Sequence, residues 1–236
     1  MHIRSIALLR HRIFLLSCVV AALLLFGSLA QDLILLSGTS AASSDKIWLL
    51  DVDSEVSAFT WLSVVTTFAA AWLLFGIAAA ASTRRSRFKW HWYFLSALFL
   101  LVSFDEFGGI HEKISSALAS RIDNTGLLYF AWAAPAGVLS LLGLAAFVPF
   151  IRSFPPRLAL LLVLSAVAFL GGAVGVEMIG GSVAELEGMQ TIRYRMLTNL
   201  EEGLEIAGVL IFIYVLLSYQ ESRDPEDSSG AMARSP

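Results

Sequence analysis

Long apolar runs separated by short polar segments dominate this chain. Six runs are long enough to cross a hydrocarbon layer about 30 Å thick as helices that rise about 1.5 Å per residue. The predicted spans are about 13–36, 59–81, 92–114, 127–150, 158–179 and 196–219. We therefore expect an all-α integral membrane protein, a bundle of six transmembrane helices within residues 1–219, followed by a disordered tail at 220–236.

The first span competes with a signal-peptide interpretation. Arginines precede the run, and Ser28-Leu29-Ala30 resembles a small-residue cleavage site. The apolar core of a signal peptide is expected to hold about 7–15 residues. This run is longer and resumes after Asp32, so we favour an uncleaved span.

Two short features refine this prediction, an apolar patch in a loop and a proline within a span. Ile47-Trp48-Leu49-Leu50 is an apolar patch in a polar loop, which predicts a short segment at the membrane interface. Pro135 lies within the fourth run and predicts a kink in that span.

Basic residues cluster in three segments that six alternating spans would place on one side. These segments are the N-terminus, 82–92 and the turn 152–157. By the positive-inside rule, both termini are predicted to be cytoplasmic, in the cell (inner) membrane. The loops 37–58, 115–126 and 180–195 are then expected to face outward.

Composition agrees with a membrane protein. Of the 236 residues, 57% are hydrophobic and only 15% are charged, whereas soluble domains are about 25% charged. The net charge of −3 offers no broad basic surface for nucleic acid. Membrane lipids are therefore the expected partners.

The third span contains an unusual concentration of ionisable groups, Asp105, Glu106, His111 and Glu112. One charge at the centre of a membrane helix costs at least about 2.5–3.5 kcal/mol. On a continuous helix, Asp105 and Glu112 share a face, with Gly108-Gly109 between them to admit a neighbouring helix or a ligand. A functional polar site is therefore predicted here.

Acids on other spans fall at matching depths, counted from the predicted cytoplasmic ends. Asp32, His111 and Glu177 lie at about 28 Å, Glu201 and Glu202 at about 26–27 Å, and Asp105, Glu106 and Glu205 at about 20 Å. Independent placement would not be expected to align these groups. We therefore predict that they meet in the outer half of the bilayer.

Carboxylates together with one imidazole suit iron, manganese or zinc, which predicts a divalent metal site. The predicted ligands are Asp105, His111, Glu112, Glu177, Glu201, Glu202 and Glu205. In an enzyme, the metal would activate water or oxygen for attack on a lipid-like substrate that enters laterally. Glu106 or Glu205 would be the catalytic proton carrier.

Two alternatives remain open. The acids are also typical of a proton relay or cation site in a proton- or cation-coupled transporter or channel. They could instead form a structural salt-bridge network, with Lys113, Arg193 and Arg195 as their partners.

The pattern Asp105-Glu106-x4-His111-Glu112, then Glu177, then Glu201-Glu202-x-x-Glu205 resembles a group of uncharacterised bacterial multi-pass membrane proteins. The resemblance covers spans three, five and six. A more distant similarity, in concept, is to the ceramidase and adiponectin-receptor type of membrane hydrolases, which implies a metal site within the membrane. Those proteins hold zinc with three histidines, whereas only His111 lies in such an environment here.

Overall fold

The computed structural model describes residues 2–37, 46–119, 121 and 124–223, and the regular structure in these ranges is entirely helical. The helices are α1 (His2–Ser37), α2 (Ala58–Thr83), α3 (Lys89–Gly108), α4 (Ile110–Ala119), α5 (Ala133–Ile151), α6 (Pro156–Leu170), α7 (Glu177–Glu187) and α8 (Ile192–Glu221). A π-helical segment, Gly171–Val176, joins α6 directly to α7. The predicted all-α class is confirmed for the described part of the chain.

Four helical stretches among the described residues are long and apolar enough to cross a membrane. They are Arg10–Leu36, Ala58–Thr83, Ala133–Ile151 and Pro156–Glu187. The bent pair α3–α4 raises the number to five if it is counted as one span. Length and apolar composition thus agree with a membrane protein.

The helices run alternately between two ends of the bundle. At one end, which we call the terminal end, Arg10 of α1 donates a hydrogen bond to Gln220 of α8 at 3.1 Å. At the other, which we call the site end, Arg195 of α8 pairs with Asp32 of α1. The turns that join α2 to α3 and α5 to α6 lie at the terminal end, because Trp92 and Phe154 both pack on Tyr219 of α8.

α8 is the central helix, in contact with α1, α2, α6, α7 and the π-helical segment. Its second half buries Val215 and Leu216 completely. Gly208 lets α6 approach closely, because a Cβ atom there would lie 2.7 Å from the backbone nitrogen of Phe169. Ser165 of α6 fixes this contact by donating a hydrogen bond to the Gly208 carbonyl at 2.8 Å.

The third predicted span is broken at Gly109. This residue adopts a left-handed conformation, φ 55°, which glycine accepts without a steric penalty. α3 therefore ends at Gly108, and α4 leaves at an angle of 75°. The predicted continuous helix over 92–114, with Asp105 and Glu112 on one face, was wrong.

Other segment boundaries also differ from the prediction. Pro135 lies in the first turn of α5, where backbone N–H groups have no helical partner, so the predicted kink does not arise. α7 extends to Glu187 and shortens the predicted loop 180–195. α8 continues to Glu221, past the predicted start of the tail, and 224–236 lie outside the described residues.

The loop before α2 contains the predicted short apolar element. Trp48–Leu50 forms one turn of 3-10 helix, and the Trp48 side chain is exposed. Gln31 of α1 accepts a hydrogen bond from the backbone N–H of Ile47 at 2.8 Å and so holds this turn beside the end of α1.

Candidate functional site

Arg195, which is only 3% exposed, lies among three aspartates at the site end. Its guanidinium donates to Asp32 at 3.2 Å and also to Asp51 and Asp53. Lys46 adds a second cation, with its Nζ atom 3.3 Å from Asp32 and 2.7 Å from Asp51. This network, which we call the aspartate network, ties the end of α1 and the following loop to α8.

The charges in this network alter the titration of Asp51. Burial alone would raise the pKa of this carboxyl group. The hydrogen bond from Lys46 and the positive charge of Arg195 outweigh burial, and the pKa of Asp51 lies below its usual value. The ionised form of Asp51 is thus the form that stabilises the fold.

A second group of polar residues starts at the break between α3 and α4. Asp105 accepts a hydrogen bond from the backbone N–H of His111 at 2.8 Å, and its other oxygen lies 3.1 Å from Nδ1 of His111. The His111 ring packs on Trp132, with ring centroids 5.1 Å apart. Trp132 Nε1 donates to Glu177 at 3.0 Å. Contacts therefore run without a gap from α3 to α7.

Four further acids of α3 and α8 lie within interaction range of Asp105 or Glu177. Glu106 of α3 adjoins Ser63 of α2, and Glu201 of α8 adjoins Glu177. Glu202 and Glu205 each interact electrostatically with Glu106 and Glu177. We call Asp105, Glu106, Glu177, Glu201, Glu202 and Glu205 the carboxylate cluster.

Gly172 allows the π-helical segment to approach α8 beside this cluster. A Cβ atom at Gly172 would lie 2.7 Å from the backbone oxygen of Glu201 and 3.0 Å from Cγ of Glu205. Any larger residue would therefore push this segment away from α8. The close approach holds Glu177 within reach of the α8 acids.

No lysine or arginine pairs with the carboxylate cluster within the described residues. Arg195 and Lys46 are engaged by the aspartate network, and Arg193 pairs with Glu187 at 2.7 Å. Lys113 donates to the backbone carbonyl of Gly108. Balancing the cluster's charge therefore requires protons or a bound cation.

The predicted metal ligands are only partly brought together. Glu112 is exposed, and its carboxyl group adjoins Glu55. Nδ1 of His111 is engaged by Asp105. Across the described ranges, no three histidine, cysteine, aspartate or glutamate side chains are arranged to hold a metal ion. The donor geometry thus gives no support to the predicted iron, manganese or zinc site.

Several partners in these two sites were not identified from the sequence. Asp51, Asp53 and Lys46 were assigned to a loop without a role, although an acidic loop after Asp32 was a signal for a buried cation nearby. Trp132 lies near the start of the predicted fourth span and was given no role in the site. Its indole N–H donates a hydrogen bond to the partly buried carboxylate of Glu177.

The comparisons with known proteins identify a family. No curated protein and no solved structure is significantly similar to the chain. Residues 12–219, which include every member of both the aspartate network and the carboxylate cluster, match the family described as Domain of unknown function (DUF8692). The chain therefore belongs to the DUF8692 family.

Proposed function

We propose that this chain is a six-span membrane protein whose carboxylate cluster takes up and releases protons in proton- or cation-coupled transport. The observation that carries the proposal is the meeting of six acids from α3, α7 and α8 without a lysine or arginine partner in the described chain. Neighbouring carboxyl groups in a low-dielectric environment share protons rather than ionise together. Such a cluster releases a proton when a cation enters it.

Individual acids have distinct parts in this mechanism. Glu177 and Glu201 adjoin one another, so a proton shared between them is the first to be displaced by a positive charge. Glu106 and Glu205 lie deeper along α3 and α8 and are the candidate proton carriers toward the terminal end. Asp105 positions the His111 ring, which is partly exposed beside the cluster. An imidazole in this position is suited to pass protons to the cluster.

The proposed orientation places the terminal end in the cytoplasm. Arginines and lysines are concentrated there, in the turns after α2 and α5. A topology reporter fused after Tyr219 is expected to be active in the cytoplasm, and one fused after Gly188 is expected to be active outside. A Tyr219 fusion that is active outside would contradict this orientation.

The transport proposal is tested with purified protein in liposomes that contain a pH-sensitive dye. Under gradients of Na⁺, K⁺ and Mg²⁺ in turn, the parent protein should change the internal pH faster than protein-free liposomes. Glu205→Gln keeps the shape and hydrogen bonding of the side chain but removes proton exchange. We expect it to slow the change about 100-fold, the scale of a lost proton-transfer group.

Glu187→Gln is the matched control, because Glu187 pairs with Arg193 at the surface and lies outside the cluster. It should retain the parent rate. Parent liposomes that behave like protein-free liposomes under every gradient would contradict the proposal. A stoichiometric transition metal that is lost in both His111→Ala and Glu205→Gln would instead support metal-dependent catalysis on a lipid-like substrate.

A further inference from the structure

We propose that the terminal end holds a specific binding site for the headgroup of an anionic phospholipid, between the turn that joins α2 to α3 and the turn that joins α5 to α6. Six basic residues form the site: Arg84, Arg85, Arg87, Lys89, Arg152 and Arg157. The inference rests on membrane insertion, but it is independent of what the carboxylate cluster does. The phosphate group of a lipid in the adjoining leaflet would supply the negative charge that balances these basic residues.

The two turns are held side by side by aromatic rings. The Phe88 ring, in the first turn, lies 5.5 Å from the Phe150 ring, at the end of α5. Phe150 also contacts Trp92 at 4.8 Å and Phe154, in the second turn, at 5.1 Å. Both Trp92 and Phe150 are buried. Buried aromatic rings therefore hold the two basic turns next to one another.

Among the described residues, no acid neutralises the positive charge of this site. In the described ranges, none of the six basic residues forms an ion pair with an acid. All are exposed except Lys89, which is half-buried. Arg87 lies over the Phe88 ring at 4.3 Å, and Lys89 over the exposed Trp90 ring at 5.4 Å. These aromatic contacts orient the charges without cancelling them, as at a membrane interface.

The backbone at Arg85 gives independent support. After α2, Ser86 N–H bonds to the Ala81 carbonyl at 2.9 Å, and Arg85 N–H bonds to the Ser82 carbonyl at 3.0 Å. This pair of bonds is a Schellman helix end, whose left-handed position is usually glycine. Arg85 occupies that position with φ 52°, a strained conformation for a residue with a Cβ atom. We infer that its guanidinium is needed at the tip of the turn.

The experiment compares thermal unfolding and lipid retention of the protein in a non-ionic detergent, with added phosphatidylglycerol or phosphatidylcholine. Phosphatidylglycerol should stabilise the parent protein more than phosphatidylcholine does. Arg152→Gln should weaken its retention about fivefold, the expected effect of one basic residue near an anionic surface. Arg85→Gly should weaken retention similarly, yet raise the melting temperature without lipid by about 2–4 °C, because it removes the backbone strain.

Arg193→Gln removes the same charge from an exposed pair at the site end and is the matched control. It should leave phosphatidylglycerol retention unchanged. Equal weakening by Arg193→Gln, or equal stabilisation by the two lipids, would overturn the proposal. Equal protection by inorganic phosphate would show an anion site rather than a lipid site. Because no flux is measured, failure here is distinct from failure of the transport proposal.

Discussion

Replacing Arg195 by methionine is expected to destabilise the folded protein by about 3–5 kcal/mol, the cost of breaking a buried ion pair from one side. After the substitution, Lys46 is the only cation in the described network that still pairs with Asp32 and Asp51. Asp32 is only 4% exposed, so its charge is poorly solvated. The end of α1 and the loop that follows it should separate from α8 first. Thermal unfolding of the purified protein in detergent measures the loss.

Arg193→Met is the control for this prediction, because Arg193 lies two residues away and its side chain is 68% exposed. An exposed ion pair contributes only about 0–1 kcal/mol. Equal melting of the two variants would show that the aspartate network does not stabilise the fold.

The effect of Arg195→Met should also depend on pH. The folded-state pKa of Asp51 lies below its ordinary value of 3.8, so its contribution to stability is present above that value. The contribution is lost as the pH falls through the lower, folded-state pKa. Burial raises the pKa of Asp53, which also binds Arg195, so the loss begins above an ordinary aspartate pKa. The difference between parent and variant should therefore be full near neutral pH and shrink on acidification. A difference that grows on acidification would contradict this assignment.

Gly172→Ala should destabilise the protein by about 1–3 kcal/mol and abolish the proposed proton-coupled flux. The added Cβ atom would meet the backbone oxygen of Glu201 at 2.7 Å, and backbone cannot move aside as a flexible side chain can. The π-helical segment must then shift away from α8 and take Glu177 with it. The unfolding temperature and the liposome assay report the two effects.

Gly175→Ala provides the matched control within the same segment. Among the described residues, no atom beyond the local helix backbone lies within 4 Å of the Cβ position there, so the methyl group enters open space. Alanine exceeds glycine in helix propensity by about 1 kcal/mol, so this variant should be unchanged or slightly more stable. If both variants melt alike, the close approach at Gly172 does not hold the cluster together.

Hydropathy predicted the helices well where one apolar run makes one helix. The second span was predicted at 59–81, and α2 occupies Ala58–Thr83. The break at Gly109 was missed because glycine is common in membrane helices, and its left-handed conformation is set by the fold around it. The sequence pattern therefore located the acids of the third span but assigned Glu112 to the wrong side.

Depth counting placed seven acids in the outer half of the bilayer. The structure brings six of them near one another, whereas Asp32 pairs with Arg195. Depth counting could not indicate which basic residues would pair with these acids and which would pair elsewhere. Arg195 was a candidate partner for the cluster, but Asp51 and Asp53 bind it from a loop more than a hundred residues earlier. Such pairings depend on tertiary packing and leave no periodic signal in the sequence.

The π-helical segment sets the rotational phase of α7. Glu177 follows Ser165 by twelve residues, which on a continuous α-helix would turn its side chain about 120° away from the side that Ser165 presents to α8. A π-turn holds about one residue more than an α-turn and so takes back about 100°. Glu177 is thereby returned to the side that faces α8. A helical wheel drawn through this span would direct the same carboxyl group away from the acids that it adjoins.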